Sequence, residues 1–195
     1  MESIVSALPQ DRPAPSLTLR RALDALYLGA GGAGAVFVVL ICALMIWQSV
    51  AREFGVNTGA VNDIVAWCCA ASGFLTMAHA FKHGDFVRVT LLMEKLTPPV
   101  KRAFELFSLG VGAVAVGYLT WWACRFTLES WQIHELAQGL LPIPMWIPQL
   151  SFALGSILLL IAVVDEFFIV LAGGVPTYER LVAERHAAGD FSSDL

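Results

Sequence analysis

The 195-residue chain has the composition of a membrane protein, since 57% of its residues are hydrophobic and only 14% are charged. Its formal net charge of -4 argues against nucleic-acid binding, which needs clustered Lys and Arg to displace counterions from phosphates. We therefore expect neither a soluble globular enzyme nor a nucleic-acid partner.

Four long stretches of the chain contain no Asp, Glu, Lys or Arg: residues 25–51, 64–81, 106–124 and 136–164. A helix needs about 20 mostly apolar residues to cross the hydrocarbon core of a bilayer. We predict an all-α integral membrane protein whose four transmembrane helices span about residues 27–50, 60–81, 104–124 and 145–166. The first stretch is longer than the apolar core of a signal peptide, so we predict a retained span.

The distribution of positive charge predicts the orientation. Ten of the twelve Lys and Arg residues lie in the N-terminal segment, the second connection and the tail: Arg12, Arg20, Arg21, Lys82, Arg88, Lys95, Lys101, Arg102, Arg180 and Arg185. The positive-inside bias then places both termini in the cytoplasm. We predict a cytoplasmic arm over residues 1–25, a membrane domain over 26–172 and a cytoplasmic tail over 173–195.

Aromatic residues agree with this orientation. Five tryptophans lie at the ends of spans or in loops on the predicted outer side: Trp47, Trp121, Trp122, Trp131 and Trp146. Tryptophan is enriched at membrane–water interfaces, so these residues indicate an outer aromatic belt. Trp146 lies between Pro144 and Pro148, next to Met145, near which span 4 is expected to begin.

Small residues indicate where helices approach each other closely. In the first half of span 1, Gly32 belongs to a run of Gly and Ala, and in span 3 Gly112 lies on a face with Ser108 and Ala115. Such faces allow membrane helices to pack with short interaxial distances. The pattern leaves open whether Gly32 and Gly112 contact another span of this chain or a partner protein.

The start of span 2 carries cap and charge signals. Asn57 or Thr58 can accept a hydrogen bond from the first free amides of the helix. Asp63 follows within two turns, where the helix dipole favours an anion. Asp63 is interpreted either as an ordinary capping carboxylate or as the partner of a cation, which is Arg52 or a residue of another protein.

The second connection contains an amphipathic segment over residues 86–96. One side of its helical wheel is apolar, formed by Phe86, Val89, Leu92, Met93 and Leu96. The segment is too short to span and has cations around it, so we predict an interfacial helix between spans 2 and 3 that lies flat against membrane lipids. A short helix facing the aqueous phase is the alternative.

Residues that could carry chemistry are few. The four cysteines all lie inside predicted spans, and His79 with His83 has no third metal ligand nearby. Asp165 and Glu166 are about 30 Å along the helix from Met145, which predicts interfacial side chains that snorkel to the headgroups. We expect no enzyme activity and no cofactor. Polar residues in the middle of the spans are too sparse for a transport path within this chain alone.

Several motifs occur in an order and spacing that resemble the small membrane subunit of tripartite ATP-independent periplasmic (TRAP) transporters. They are Trp47–Phe54 (WQSVAREF), an acid opening span 2, Gly84–Leu92 (GDFVRVTLL), Ile143–Trp146 (IPMW) and Ala153–Gly155 (ALG). The chain has Asn62-Asp63 where the family commonly has an acidic pair. It has Asp85 and Thr90 where the family often has His and Asp.

The resemblance implies a scaffold in the bacterial inner membrane without substrate ligands of its own. Its partners would be a large multi-span transport subunit and a periplasmic substrate-binding protein that delivers an organic anion, with a sodium gradient as the driving force. Two alternatives remain from the sequence: the membrane anchor of an electron-transfer complex, and a self-associating small channel or carrier.

Overall fold

The computed structural model describes residues 17–83, 98–174, 176–178 and 180–181. Four helices account for most of them: α1 (Leu17–Glu53), α2 (Gly59–His83), α3 (Pro98–Gln132) and α4 (Trp146–Leu171). Each is long and apolar enough to cross a membrane, which confirms the four-helix prediction. The interfacial helix predicted over residues 86–96 lies outside the described residues.

Two helices extend well beyond the predicted spans. α1 has 37 residues and α3 has 35, which corresponds to roughly 55 and 52 Å at the helical rise. The hydrocarbon core is only about 30 Å thick. A run of uncharged residues shows which part of a helix is apolar, but it does not show where the helix ends. Residues with charged side chains can extend the helix beyond the apolar part, into water. At the start of α3, Lys101 Nζ lies 3.9 Å from Glu105 Oε1, one turn along the helix.

The turn between α1 and α2 shows why one helix ends and the next begins. Gly55 has a φ of 71° and its amide donates to the carbonyl of Arg52 at 3.0 Å, a left-handed conformation that terminates α1. The amide of Gly59, the first residue of α2, donates to Asn57 Oδ1 at 3.1 Å. This contact confirms the cap predicted at Asn57.

The helices are not arranged in chain order. α1 packs on α2, α2 packs on α4, and α4 packs on α3, so the described helices form a row with the order α1, α2, α4, α3. α4 has the largest buried share, 39% of its most apolar stretch against 6% for α1. The last of the four long helices is therefore a central one, and α1 and α3 are the edge helices.

Glycines allow two of the close helix contacts. At Gly155 of α4, an added Cβ would lie 2.5 Å from the carbonyl oxygen of Phe74 on α2, so only glycine fits this crossing. The rings of Phe74 and Phe152 meet edge to face beside it, with centroids 4.4 Å apart. Gly34 similarly brings α1 against Thr76 of α2. Lipid supplies no hydrophobic driving force for the association of helices, so van der Waals contact between closely packed backbones stabilises these crossings instead.

Candidate functional site

The structure gathers charged residues at one end of the row, called here the charged end, where α1 and α3 begin and α2 and α4 end. Lys82, in the last turn of α2, places its Nζ 2.6 Å from Asp165 Oδ2 and 3.5 Å from Glu166 Oε1 on α4. These three residues are called the ion cluster. The Lys82 side chain is only 9% exposed and that of Glu166 is fully buried, so the attraction acts in a region where water screens it weakly.

Burial of Glu166 corrects the prediction that both acids of α4 snorkel to the headgroups. Asp165 is partly exposed, but the prediction is wrong for Glu166, whose Oε2 accepts a hydrogen bond from the Thr177 amide at 2.9 Å. A buried carboxylate is costly unless it is paired and hydrogen-bonded. Here Oε2 is hydrogen-bonded, while Oε1 has the Lys82 ammonium 3.5 Å away and no hydrogen bond among the described residues. Glu166 therefore fixes the chain that follows α4 against the helix ends.

Further contacts at the charged end involve aromatic rings and a backbone carbonyl. The Lys82 ammonium lies 5.4 Å from the ring centroid of Tyr27, which is buried near the start of α1. Tyr178, after α4, packs edge to face on Phe81, with ring centroids 6.4 Å apart. Arg102 of α3 donates to the carbonyl of Leu171 at 2.9 Å, which satisfies one of the free carbonyls at the end of α4.

At the opposite end, called the loop end, the connection from α3 to α4 folds onto the start of α2. Asp63 Oδ2 accepts a hydrogen bond from the amide of Leu140 at 3.3 Å, and its carboxylate lies against Gly139. Arg52 is exposed, and within the described residues Asp63 neither pairs with it nor caps α2. Both of those intrachain interpretations of Asp63 are wrong, because a backbone amide distant in sequence takes the carboxylate.

The loop between α3 and α4 is itself ordered by short contacts. Leu136 and Pro144 form an isolated antiparallel bridge, and the Ala137 amide donates to the Ile143 carbonyl at 2.9 Å. At its base, the rings of Trp131 and Trp146 stack with centroids 5.9 Å apart. Trp146 is the first residue of α4, as expected, and it ties the end of one helix to the start of the next.

The middle of the row offers few polar groups. The hydroxyls there donate to helix carbonyls: Ser72 to Cys69, Thr76 to Ser72, Ser156 to Ala153, and Thr120 to both Val116 and Ser156. Each of these hydroxyls already donates its hydrogen to a backbone carbonyl and has no second hydrogen to donate. Among the described residues, no group of three or more His, Cys, Asp and Glu side chains could hold a metal ion.

The two glycines predicted as contact sites differ in their surroundings. A Cβ added to Gly112 on α3 would lie 3.9 Å from Val163 Cγ1, so this face packs on α4 within the chain. A Cβ added to Gly32 on α1 would meet nothing within 4 Å. Gly31, its neighbour, instead contacts His79 of α2. The sequence pattern could not separate these roles, because Gly and Ala recur on several faces of α1.

Large apolar side chains cover the outer surfaces of the edge helices. Among those more than half exposed are Leu28, Val36, Val39 and Ile46 on α1, and Phe107, Val111, Val114 and Tyr118 on α3. An apolar surface of this extent suits lipid or another membrane protein, and not water.

Comparison with known proteins decides the family. The family model described as "Tripartite ATP-independent periplasmic transporters, DctQ component" matches residues 18–173, about four-fifths of the chain. The chain belongs to the DctQ family. It is a small permease subunit of a TRAP transporter, a multi-pass membrane component and not an enzyme. This confirms the resemblance found in the sequence and removes the electron-transfer anchor from the alternatives.

One curated relative gives the family a named example. The chain is 29% identical over 82 residues to the C4-dicarboxylate TRAP transporter small permease protein DctQ of Rhodobacter capsulatus. The matched region covers 42% of this chain and 36% of the relative. The match therefore spans just over a third of the length of this relative.

Proposed function

We propose that this DctQ subunit is a scaffold that anchors a large multi-span transport subunit in the bacterial inner membrane and carries no substrate itself. The observation that carries the proposal is the chemistry at mid-membrane. The Ser and Thr hydroxyls described there donate to helix carbonyls, as at Thr76 and Ser156. A carrier needs broken helices or buried polar groups that are available near the bilayer centre. The four described helices are continuous, and the buried Thr120 and Ser156 hydroxyls donate to helix carbonyls.

The partner surface we propose is the outer face of α1. This helix lies at the edge of the row, has the lowest buried share and exposes Gly32 next to large apolar residues such as Val36 and Val39. A small residue on an apolar face lets a partner helix approach closely. Membrane lipids cover the rest of the apolar surface.

For the transported substrate, we propose an organic anion of the carboxylate class, delivered by a periplasmic substrate-binding protein and driven by a sodium gradient. The curated relative is named for C4-dicarboxylates, which supports this class. Substrate specificity then resides in the other two components.

Reconstitution tests the proposal directly. This chain, the large subunit, or both together are placed in liposomes with the binding protein, and uptake of labelled succinate is measured under an inward sodium gradient. We expect uptake only when both membrane subunits are present. Uptake by this chain alone would instead make it a self-associating carrier, and full uptake by the large subunit alone would make this chain dispensable.

A matched pair of variants tests the surface. Gly32→Leu should reduce the amount of large subunit that co-purifies in mild detergent, because the added side chain extends into the partner helix. Gly73→Leu is the control, since its Cβ position is also open but it lies on α2 and not on the proposed face of α1. Equal loss of the large subunit in both variants would contradict a contact centred on Gly32.

A further inference from the structure

A cavity of about 210 Å³ opens at the charged end beside the ion cluster. It lies between the first turns of α1, the ends of α2 and α4 and the turn that follows α4. Its polar wall, among the described residues, comprises Asp24, Tyr27, Lys82, His83, Asp165, Thr177 and Arg180. The proposed scaffold function does not use this cavity.

The charges around the cavity are mixed. Asp24 and Asp165 provide carboxylates, while Lys82 and Arg180 provide cations. Glu166 lies beside this wall, 3.5 Å from Lys82, and shares the single ammonium with Asp165. A purely anionic ligand would therefore face the Asp24 and Asp165 carboxylates as well as the cations, so a ligand with separate positive and negative groups fits this wall better.

Tyr27 supplies an independent indication of a ligand. The residue is only 2% exposed, and within the described part of the chain its hydroxyl has no hydrogen-bond partner. A buried polar group without a partner is costly, and Tyr27 lines the cavity, so a ligand that bonds to this hydroxyl would offset the cost. A primary ammonium carries three donors, which matches the Tyr27 oxygen and a nearby carboxylate.

The position of the cavity identifies the source of such a ligand. Lys82 lies in the last turn of α2, and Asp165 lies roughly 30 Å along α4 from its first residue, a length close to the thickness of the hydrocarbon core. We therefore expect the cavity near the level of the headgroups. Leu23 and Ile169 also line the cavity, and apolar side chains of α1 such as Leu28 are exposed close by. A lipid headgroup can therefore enter while its acyl chains stay on apolar surface.

We propose that this cavity binds the headgroup of a phospholipid with a primary ammonium group, the phosphatidylethanolamine class. The ammonium is held by the Asp24 carboxylate and the Tyr27 hydroxyl, and the phosphate lies on the side of Arg180. The ion cluster forms the fixed floor of the site. The proposal requires only that the chain lies in a membrane, so it stands apart from the transport role.

Native mass spectrometry of the delipidated full chain tests the proposal. The chain is offered an equimolar mixture of phosphatidylethanolamine, phosphatidylcholine and phosphatidylglycerol with identical acyl chains. We expect phosphatidylethanolamine to be retained roughly tenfold better than the other two, the factor that a charge-assisted hydrogen bond of typical strength provides. Phosphatidylcholine has the same charges without ammonium donors, so equal retention of these two lipids would overturn the proposal.

Variants and a soluble competitor locate the site and its source. Tyr27→Phe keeps the ring and removes the hydroxyl, and Asp24→Asn removes the charge, so each should abolish most of the preference. Asp63→Asn, at the loop end, should leave it unchanged. Retained preference in both Tyr27→Phe and Asp24→Asn would place binding elsewhere. Displacement of the lipid by an equal concentration of free phosphoethanolamine would show a site for the soluble headgroup and would overturn the assignment to lipid.

Discussion

At the scale of single residues, Lys82 has the largest expected effect on stability. Lys82→Met keeps the length of the side chain but leaves Asp165 and the buried Glu166 without their shared cation. Breaking a buried ion pair from one side typically costs about 3 kcal/mol. We expect the apparent melting temperature of the detergent-solubilised protein to fall clearly, and release of the tail next to Thr177 to appear as faster amide exchange.

A matched lysine provides the control for this prediction. Lys101 pairs with Glu105 at the longer distance of 3.9 Å, and its side chain is 37% exposed. Lys101→Met should cost less than Lys82→Met, because the contact is longer and water reaches the Lys101 ammonium, although the Glu105 side chain is only 9% exposed. Equal destabilisation by the two substitutions would mean that burial of the ion cluster contributes nothing.

Asp63 is expected to act on the loop and not on helix α2. In Asp63→Ala the Leu140 amide loses its acceptor, a change of about 1 kcal/mol. Hydrogen exchange at Leu140 should accelerate while exchange in the interior of α2 stays the same. Arg52→Ala is the control, because Arg52 is exposed and forms no ion pair with Asp63. The same loop response to both substitutions would contradict this assignment.

At the scale of helices, the crossing of α2 and α4 depends on the absence of a side chain at Gly155. Gly155→Ala would place a Cβ 2.5 Å from the Phe74 carbonyl oxygen, so the two helices would have to move apart. We expect a lower melting temperature and weaker packing of Phe74 on Phe152. Gly73→Ala is the matched control on α2, because its Cβ position is open. Unchanged stability of Gly155→Ala would show that the crossing adapts without cost.

The interfacial helix over residues 86–96 stays a prediction. α2 and α3, which it would connect, are separated in the row by α4, so this stretch of chain joins helices that are not neighbours. Spin labels at Leu92 and Met93 should report lipid contact, whereas a label at Glu94 should report water. Uniform water access along the segment would rule out the flat orientation.

The sequence predicts these helices well but says little about which of them are neighbours. Apolar runs identify all four helices, because crossing a bilayer imposes a length and composition that are visible residue by residue. The Lys82–Asp165 pair joins residues 83 positions apart and exists only because α4 packs beside α2. The partner of Asp63 is a backbone amide, which has no signature in the side-chain sequence. Gly32 and Gly112 look alike in sequence, and only the packing distinguishes them.

At the scale of the whole molecule, the orientation in the membrane is open to a direct test. Ten of the twelve Lys and Arg residues predict that both termini are cytoplasmic. A reporter that is active only in the cytoplasm, fused to Leu195, should give a signal, and the same reporter inserted in the 133–145 loop should not. A signal from the loop and none from the C-terminus would reverse the topology and place the ion cluster on the periplasmic side.

The central position of α4 has a consequence for biosynthesis. α1 and α2 can pair as soon as both have left the ribosome, but the main intrachain partner of α3 is α4, which is made last. Until α4 is made, α3 lacks that contact. Assembly of the row is therefore completed only after translation of the final span. A nascent chain truncated after Gln132 would retain the α1–α2 pair and leave α3 without its contact to α4.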